Sequence, residues 1–255
     1  MVGGSARLAL VTGASRGIGR AVAERLGAGG AAVAVHYRAD RDAASEVVAR
    51  IEAAGGVARA FAADLAELPG VTALADEVRA WARDRFGRDA VDVLVNNAGI
   101  GCPGDIAALA PERFDLAFAV NVRAPVFLVQ RLLPALGEGA RIVNVSSLAT
   151  RAAHPRILGY AMSKGALDVF GRALADQLGA RGVTVNTVAP GLIDTDFHGD
   201  RFRGDLAAAG QAAAQAALGR IGEPADVADV IAFLVSPGAR WVTGERVEIS
   251  GGTRL

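Results

Sequence analysis

A serine, a tyrosine and a lysine that could carry out acid–base chemistry lie within one short stretch, residues 146–164. Tyr160 and Lys164 are four residues apart, a spacing that places both side chains on one face of a helix. Ser147 follows the apolar run 141–145, which is typical of a buried strand, so its hydroxyl could reach the same point. A phenol that donates a proton, an ammonium that makes it more acidic and a hydroxyl that holds the acceptor suit the reduction of a carbonyl group, or its reverse.

A glycine-rich turn near the start of the chain could bind phosphate. The apolar run 8–12 is typical of a buried strand, and the spacing Gly13-x3-Gly17-x-Gly19 follows it and leads into helical spacing at 20–28. Such a turn lets the backbone approach a ligand closely, and the free N–H groups of the helix N-terminus favour phosphate. The spacing is one residue longer than G-x-G-x-x-G, but its position after the first strand favours phosphate binding over turn geometry alone.

The second predicted strand covers residues 31–35, and the residues that follow it distinguish between the two nicotinamide dinucleotides. Folds that bind NAD carry an acid there for the ribose 2′-hydroxyl, whereas this chain has Arg38, and the nearest acid, Asp40, comes later. Arg38 and the turn residue Arg16 could instead grip a 2′-phosphate through parallel hydrogen bonds. We therefore expect NADP(H) rather than NAD.

The same turn also permits a hydrolase interpretation, because residues 13–17 match the nucleophile elbow G-x-S-x-G. A hydrolase of that kind needs an oxyanion loop from an earlier strand, and only a dozen residues precede Gly13. It also needs a histidine late in the chain, and the last one, His198, falls in a predicted lid. The sequence thus disfavours a hydrolase.

Strands and helices alternate along the rest of the chain, which predicts one α/β domain over residues 1–255 with a Rossmann-type, doubly wound, parallel seven-stranded sheet. The further helices are predicted at 43–54, 71–86, 111–136, 160–178 and 224–235, and the further strands at 57–62, 91–95, 183–189 and 246–249. We expect the helical stretch 111–136 in two pieces, with Pro125 as a kink or boundary. Segment 192–218 is charged at first and then alanine-rich, and is expected to form a mobile helical lid over the substrate.

The composition argues against several other classes of protein. Lysine plus arginine equals aspartate plus glutamate, 27 each, so no overall field favours nucleic acid or a membrane. The lone Cys102 excludes an internal disulfide and suits a reducing cytosol, and no signal peptide or transmembrane span is predicted. Together these features lead us to expect a cytoplasmic protein. The three histidines lack metal-like spacing, so we expect no metal site. Trp81 and Trp241 are expected to serve packing.

Six motifs together resemble the short-chain dehydrogenase/reductase family, in order and spacing, over nearly the whole chain. They are Thr12-Gly13-x3-Gly17-Ile18-Gly19, Asn96-Asn97-Ala98-Gly99, Asn121, Ser147, Tyr160-x3-Lys164 and Pro190-Gly191. Residues 11–19 and 250–252 are similar to the branch of 3-oxoacyl-acyl-carrier-protein reductase-like enzymes, which also contains reductases of other substrates.

The resemblance implies a role for each matching residue. Tyr160 would be the general acid in reduction, and Ser147 would hydrogen-bond the substrate carbonyl. Lys164 would bind the nicotinamide ribose and lower the tyrosine pKa, and Asn121 would help to hold a water that relays protons from it. Asn96 would brace the sheet. The residues expected at the cofactor are Gly13, Ser15, Arg16, Gly17, Ile18, Gly19 and Arg38, then Asp64 and Leu65 beside the adenine, Asn97, Ala98 and Gly99, and finally Tyr160, Lys164, Pro190, Gly191 and Ile193, the last at the carboxamide.

These observations predict an NADPH-dependent reductase that transfers a hydride to a 3-oxoacyl thioester or a related ketone and gives a secondary alcohol. Two alternatives stay open: an NAD(P)-dependent alcohol, sugar or steroid dehydrogenase working in oxidation, and a non-catalytic NADP-binding sensor. The expected partner is a small-molecule or carrier-bound carbonyl substrate, with no nucleic acid and no membrane. The resemblance also implies a homotetramer or dimer, joined partly through helical faces within 120–136 and 161–178.

Overall fold

Seven parallel strands form a single sheet in the computed structural model, which describes residues 6–197 and 206–255. The strands are β1 Leu8–Val11, β2 Ala32–Tyr37, β3 Val57–Ala62, β4 Val93–Asn96, β5 Arg141–Val145, β6 Thr184–Pro190 and β7 Arg246–Ile249. Their spatial order is β3-β2-β1-β4-β5-β6-β7, and every neighbouring pair is parallel. The direction of winding reverses between β1 and β4, which opens a crevice at the carboxyl ends of these strands. The predicted Rossmann-type fold with seven strands is thus confirmed.

Helices cover both faces of the sheet and create two cores. They are α1 Gly17–Ala28, α2 Arg41–Ala53, α3 Leu68–Phe86, α4 Pro111–Phe118, α5 Ala124–Leu132, α6 Leu158–Gly179, α7 Leu206–Ala213 and α8 Pro224–Leu234. Successive strand residues point to opposite faces, so Leu8 and Leu10 join the core beneath α3, α5 and α6, while Ala9 and Val11 join the core beneath α1, α2 and α8. Burial on both faces explains why the strands read as continuous apolar runs.

Several details differ from the sequence predictions. Strand β2 continues to Tyr37, two residues past its predicted end, because it pairs with β3 over its whole length. Helix α3 begins at Leu68 rather than at residue 71, since Pro69 suits the first turn of a helix, where no amide hydrogen is needed. Trp81 packs in the core as expected, but Trp241 is 95% exposed, so the expectation that it packs is wrong within one chain.

The helical stretch 111–136 breaks in two through a π-helical segment, Ala119–Arg123, that separates α4 from α5. Asn121 lies in this segment and is fully buried. Pro125 stands in the first turn of α5, at the boundary where the break was expected. A π-helical insertion of this kind is often found at a functional site, because it changes the direction of a side chain.

The predicted lid, 192–218, is described in two parts, 192–197 and 206–218, and α7 lies in the second part. The first part passes over the glycine turn, since a Cβ atom on Gly17 would come within 3.3 Å of a methyl of Thr195. His198 lies outside the described residues. No helix in the described ranges has the length and apolar character needed to cross a bilayer.

Candidate active site

The turn between β1 and α1 adopts a shape that requires its glycines. Gly13 and Gly17 have φ of 63° and 55°, in the left-handed region that other residues rarely adopt. A Cβ atom on Gly19 would come within 2.2 Å of the Gly13 carbonyl oxygen, so a side chain there is excluded. Arg16 precedes α1 without capping it by its side chain, which leaves the first N–H groups of the helix available to an anion. Ser15 and Ile18 are partly exposed in the same turn.

Thr12 and Asn97 fasten this turn to the end of β4. The Thr12 hydroxyl oxygen accepts hydrogen bonds from the backbone N–H groups of Asn97 and Ala98, at 2.9 and 3.0 Å. In return, the Asn97 side-chain amide donates to the carbonyls of Thr12 and Gly13, at 2.8 and 3.0 Å. The side chain of Asn97 therefore shapes the turn, and its backbone and that of Ala98 border the crevice. Asn96 is buried and donates to Asn144 at 2.9 Å, which fits the expected bracing of the sheet.

A buried histidine, marked by no sequence motif, holds the same turn from the other side. The N–H of Gly13 donates to Nδ1 of His36 at 2.9 Å, and Nε2 lies 3.1 Å from the carbonyl oxygen of Ala63. The ring must therefore carry its proton on Nε2 and accept at Nδ1. Burial lowers the pKa of His36 to about 4, and the Ala63 carbonyl and the Asp64 charge offset only part of that effect. A polar residue inside the apolar run of β2 was the signal that could have revealed this role.

The two arginines expected at a 2′-phosphate are both exposed near the turn. Arg38 directly follows β2, and Arg16 immediately precedes α1. Asp40, the nearest acid, has a different role, because its carboxylate caps α2 by accepting the N–H of Ala43 at 3.0 Å. The arrangement thus offers cations to a phosphate at the place where an NAD site would offer a carboxylate.

The residues expected beside the adenine differ in exposure. Asp64 is exposed just after β3, and its carboxylate accepts the N–H of Ala66 at 2.9 Å. Leu65 is 6% exposed and packs in the core, so only its backbone can border a ligand.

Ser147, Tyr160 and Lys164 meet at the carboxyl end of β5, as their spacing predicted. Tyr160 lies in the first turn of α6, and Lys164 in the next turn has its ammonium 5.9 Å from the centre of the tyrosine ring. Ser147 lies beside the Tyr160 phenol and acts as a hydrogen-bond partner that lowers its pKa, and the Ser147 hydroxyl oxygen also accepts the N–H of Ala149 at 3.1 Å. The ammonium of Lys164 donates to the carbonyl of Val145 at 2.7 Å, which anchors it under the end of the strand.

The pKa of the phenol differs from the expected direction. Burial raises the pKa of Tyr160 to about 12, although the hydrogen bond with Ser147 acts in the opposite sense. Burial also lowers the pKa of Lys164 to about 8, and the carboxylate of Asp168 offsets part of this shift. The expectation that Lys164 lowers the tyrosine pKa therefore does not hold for the protein alone. The ammonium is itself desolvated and is directed at Val145 rather than at the phenol.

Asn121 connects the loop after β4 to α6. Its side-chain oxygen accepts the N–H of Ile100 at 2.8 Å, and its amide donates to the Ile100 carbonyl at 3.0 Å and to the Ser163 hydroxyl at 2.9 Å. Ser163 in turn donates to the backbone carbonyl of Tyr160 at 2.7 Å. Both N–H donors of the Asn121 amide are thus used by protein groups, whereas its oxygen accepts one hydrogen bond and can accept a second. Its role in holding a water near Lys164 stays a prediction.

The nicotinamide end of the predicted site is built from small residues. A Cβ atom on Gly99 would come within 3.1 Å of the Lys164 ammonium, so glycine keeps space open there. Strand β6 ends at Pro190, and a Cβ atom on Gly191 would come within 2.9 Å of the Cα atom of Ser250. Ile193 is 4% exposed and is fixed by a β-bridge to Gly222.

Phe197 is a site residue that no motif indicated. Its ring lies 5.7 Å from the ring of Tyr160 at an interplanar angle of 47°, and about half of the residue is exposed. The only signal was an aromatic residue in a predicted lid. Together the crevice holds a proton donor and an ammonium at one end, and a phosphate-compatible turn with two arginines at the other.

Comparison with known proteins agrees with this geometry. A family profile described as Enoyl-(Acyl carrier protein) reductase matches residues 13–254. Versicolorin reductase stcU of Emericella nidulans is 40% identical, over 96% of this chain and 95% of its own length. Short-chain reductase protein NovJ of Streptomyces niveus is 41% identical, over 96% and 93%. The crystal structure of angucycline C-6 ketoreductase LanV with bound NADP has 45% identity and a TM-score of 0.92, covering 97% and 95%. The chain belongs to the short-chain dehydrogenase/reductase family of oxidoreductases.

Proposed function

We propose that this protein is an NADPH-dependent ketoreductase that converts a ketone into a secondary alcohol. One observation carries the proposal: the Tyr160 phenol, with Ser147 beside it and the Lys164 ammonium 5.9 Å from its ring, lies at the same carboxyl edge of the sheet as the glycine turn after β1. A dinucleotide in that crevice would extend from the turn to the phenol. The similarity to ketoreductases, one of them solved with NADP, supports the same activity.

The residues of the crevice fit NADP(H). The shape of the turn at Gly13, Gly17 and Gly19 keeps side chains away from a pyrophosphate, and the N-terminus of α1 points N–H groups at it. Arg16 and Arg38 would hold the 2′-phosphate, since a guanidinium matches the geometry of two phosphate oxygens. Bound NADPH would supply the hydride that adds to the carbonyl carbon.

The protein supplies the proton and the alignment. Tyr160 would donate its phenolic proton to the carbonyl oxygen, and Ser147 would hold that oxygen by a hydrogen bond. With a pKa of about 12, the phenol is protonated at neutral pH, the state that reduction requires. The reverse oxidation needs the phenolate, and its formation at pH 7 in the protein alone would cost roughly 7 kcal/mol.

We further propose that the substrate is a ring ketone of the polyketide type rather than a 3-oxoacyl thioester. The relatives named above include a versicolorin reductase and an angucycline C-6 ketoreductase. In this chain, the half-exposed ring of Phe197 beside Tyr160 offers an aromatic surface close to the proton donor. Offset or tilted contact with such a ring would orient a planar substrate.

The test is the loss of NADPH absorbance with a panel of substrates: polycyclic ring ketones, a 3-oxoacyl thioester and an enoyl thioester. We expect turnover of the ring ketones and a secondary alcohol as product. Turnover of the thioester alone would overturn the substrate assignment. No turnover on any compound, together with tight NADPH binding, would identify a sensor. Secondary alcohols with NADP⁺ provide the test of the oxidative alternative.

The family resemblance also leads us to propose a homodimer or homotetramer joined through the faces of α5 and α6. Phe127 on α5 and Met162 and Val169 on α6 are large apolar residues exposed in the single chain. Apolar side chains gathered on one surface mark a contact site more often than scattered ones do. Light scattering coupled to gel filtration would determine the assembly.

A further inference from the structure

Arg246, the first residue of β7, has all three nitrogens of its guanidinium occupied beside the loop that carries Ser147. Nε donates to Asp168 at 3.1 Å, and Nη1 donates to Glu248 at 2.7 Å. Nη2 donates to the backbone carbonyl of Ser147 at 3.1 Å and to the hydroxyl of Thr150 at 2.8 Å. The side chains of Arg246 and Asp168 are 21% and 11% exposed, so this pair is better shielded than an ordinary surface ion pair.

These contacts connect three elements of the active site. Asp168 lies on α6, one turn after Lys164 and two turns after Tyr160, whereas Ser147 follows β5 and the arginine belongs to β7. The guanidinium therefore fixes the backbone of Ser147 relative to the helix that carries the phenol. The Ser147 carbonyl also accepts the N–H of Thr150 at 3.3 Å and its hydroxyl at 3.1 Å, so the loop is held by donors from two residues.

We infer that Arg246 is a positioning residue, oriented by Asp168, which holds the backbone of Ser147 so that its hydroxyl stays beside the Tyr160 phenol. The effect on rate rests on the proposed reductase function. The proximity of the hydroxyl to the phenol can be observed without turnover. Lysine could not replace the arginine, because a single ammonium lacks the planar fork that donates in three directions here. One oxygen of Asp168, Oδ1, is buried with no hydrogen-bond partner in the described part of the chain, and the other, Oδ2, accepts the hydrogen bond from Arg246.

The kinetic test compares Arg246→Met and Arg246→Lys in the wild type and in a Ser147→Ala background. Misplacement of a catalytic group by about 1 Å costs on the order of 100-fold, so we expect Arg246→Met to lower kcat by about 10–100-fold with an unchanged KM for NADPH. In the Ser147→Ala background the same change should cost nothing further, because the arginine acts through Ser147. Thr150→Val, which removes one partner of the guanidinium, should give a smaller loss of the same kind.

The control is Arg79→Met, which removes a comparable guanidinium far from the crevice. Arg79 forms a two-point ion pair with Asp89, at 3.0 and 2.6 Å, and is 20% exposed. Its loss should lower the melting temperature and leave kcat unchanged. If the double variant loses kcat by the product of the two single losses, Arg246→Met acts independently of Ser147 and the inference is wrong. It is also wrong if folded Arg246→Met keeps full kcat.

A second measurement does not depend on activity. The chain contains two tyrosines, so ¹³C labelling of the tyrosine Cζ atoms gives two NMR signals, and Tyr160→Phe assigns the one at the site. Ser147→Ala should shift that signal, Arg246→Met should shift it in the same direction, and Arg79→Met should leave it in place. An unmoved signal in Arg246→Met overturns the inference even if no ketone is reduced. If Arg246→Met fails to fold, both the kinetic and the NMR measurement are made on Arg246→Lys and Thr150→Val instead.

Discussion

Protonation of His36 should loosen the glycine turn, and the loss of stability can be calculated from its surroundings. The neutral ring accepts the N–H of Gly13 at Nδ1, and a second proton on the ring would abolish that acceptor. Burial lowers the pKa of His36 to about 4 from an ordinary 6.5. The unfolded chain therefore binds the proton more readily than the folded one between those two values. The stabilisation is complete above pH 6.5, and it is lost as the pH falls toward 4.

The magnitude follows from linkage. A separation of roughly 2.5 units corresponds to a ceiling of about 3 kcal/mol, at about 1.4 kcal/mol per unit. About 2 kcal/mol of this should be lost between pH 7 and pH 5, before most carboxylates begin to protonate. For a domain of this size such a change lowers the melting temperature by roughly 4–8 °C.

The assay is denaturant unfolding at a series of pH values between 7 and 5. His36→Asn keeps an acceptor near the Gly13 amide and removes the ionisable ring, so most of the pH dependence in this window should disappear, whatever the absolute stability of the variant. The control is His154→Asn at a partly exposed loop position, where burial lowers the pKa in the same direction. That variant should retain most of the slope. An unchanged slope in His36→Asn would refute the assignment of the titration to this ring.

Three further outcomes test the proposed site. Tyr160→Phe should retain NADPH affinity and lose at least about 100-fold in kcat, since the proton donor is removed while the fold is kept. Fluorescence titration measures the affinity, and stopped-flow kinetics measure the turnover. Arg38→Asp should weaken NADPH binding by about tenfold or more and NADH binding far less, and equal effects on both would contradict the contact with a 2′-phosphate. Phe127→Glu should reduce the molar mass seen by light scattering if α5 lies at a subunit interface, while the matched exposed change Trp241→Glu serves as a comparison elsewhere on the surface.

The parts of the site that depend on local spacing could be predicted from the sequence. Tyr160 and Lys164 are one helical turn apart, and the glycine turn joins adjacent elements, so neither required knowledge of the sheet order. The contacts that hold these parts are different, because their partners are far apart along the chain. Thr12 meets Asn97 across 85 positions, and Arg246 meets Ser147 across 99. Such pairs follow from the strand order, which alternation of elements alone does not specify.

The direction of the tyrosine pKa was also beyond the sequence. The spacing of Tyr160 and Lys164 correctly placed the two side chains near each other, but it could not show that the ammonium is directed at Val145 or how deeply both groups are buried. Desolvation penalises the charged form of each group, so it raises the pKa of a phenol and lowers that of an amine. In this crevice desolvation is the largest cause of both shifts.

Because burial shifts three pKa values, the three ionisable groups of the crevice have the protonation states described above together only over a limited range of pH. His36 must be neutral to accept the Gly13 amide, and its pKa is about 4, while Lys164, with a pKa of about 8, donates to Val145 as a charged ammonium below that pH. Tyr160, with a pKa of about 12, keeps its proton throughout. All three conditions hold together between about pH 4 and pH 8. Outside this range a different end of the crevice changes its protonation first: the phosphate turn in acid, through His36, and the group beneath the proton donor in base, where Lys164 loses its positive charge.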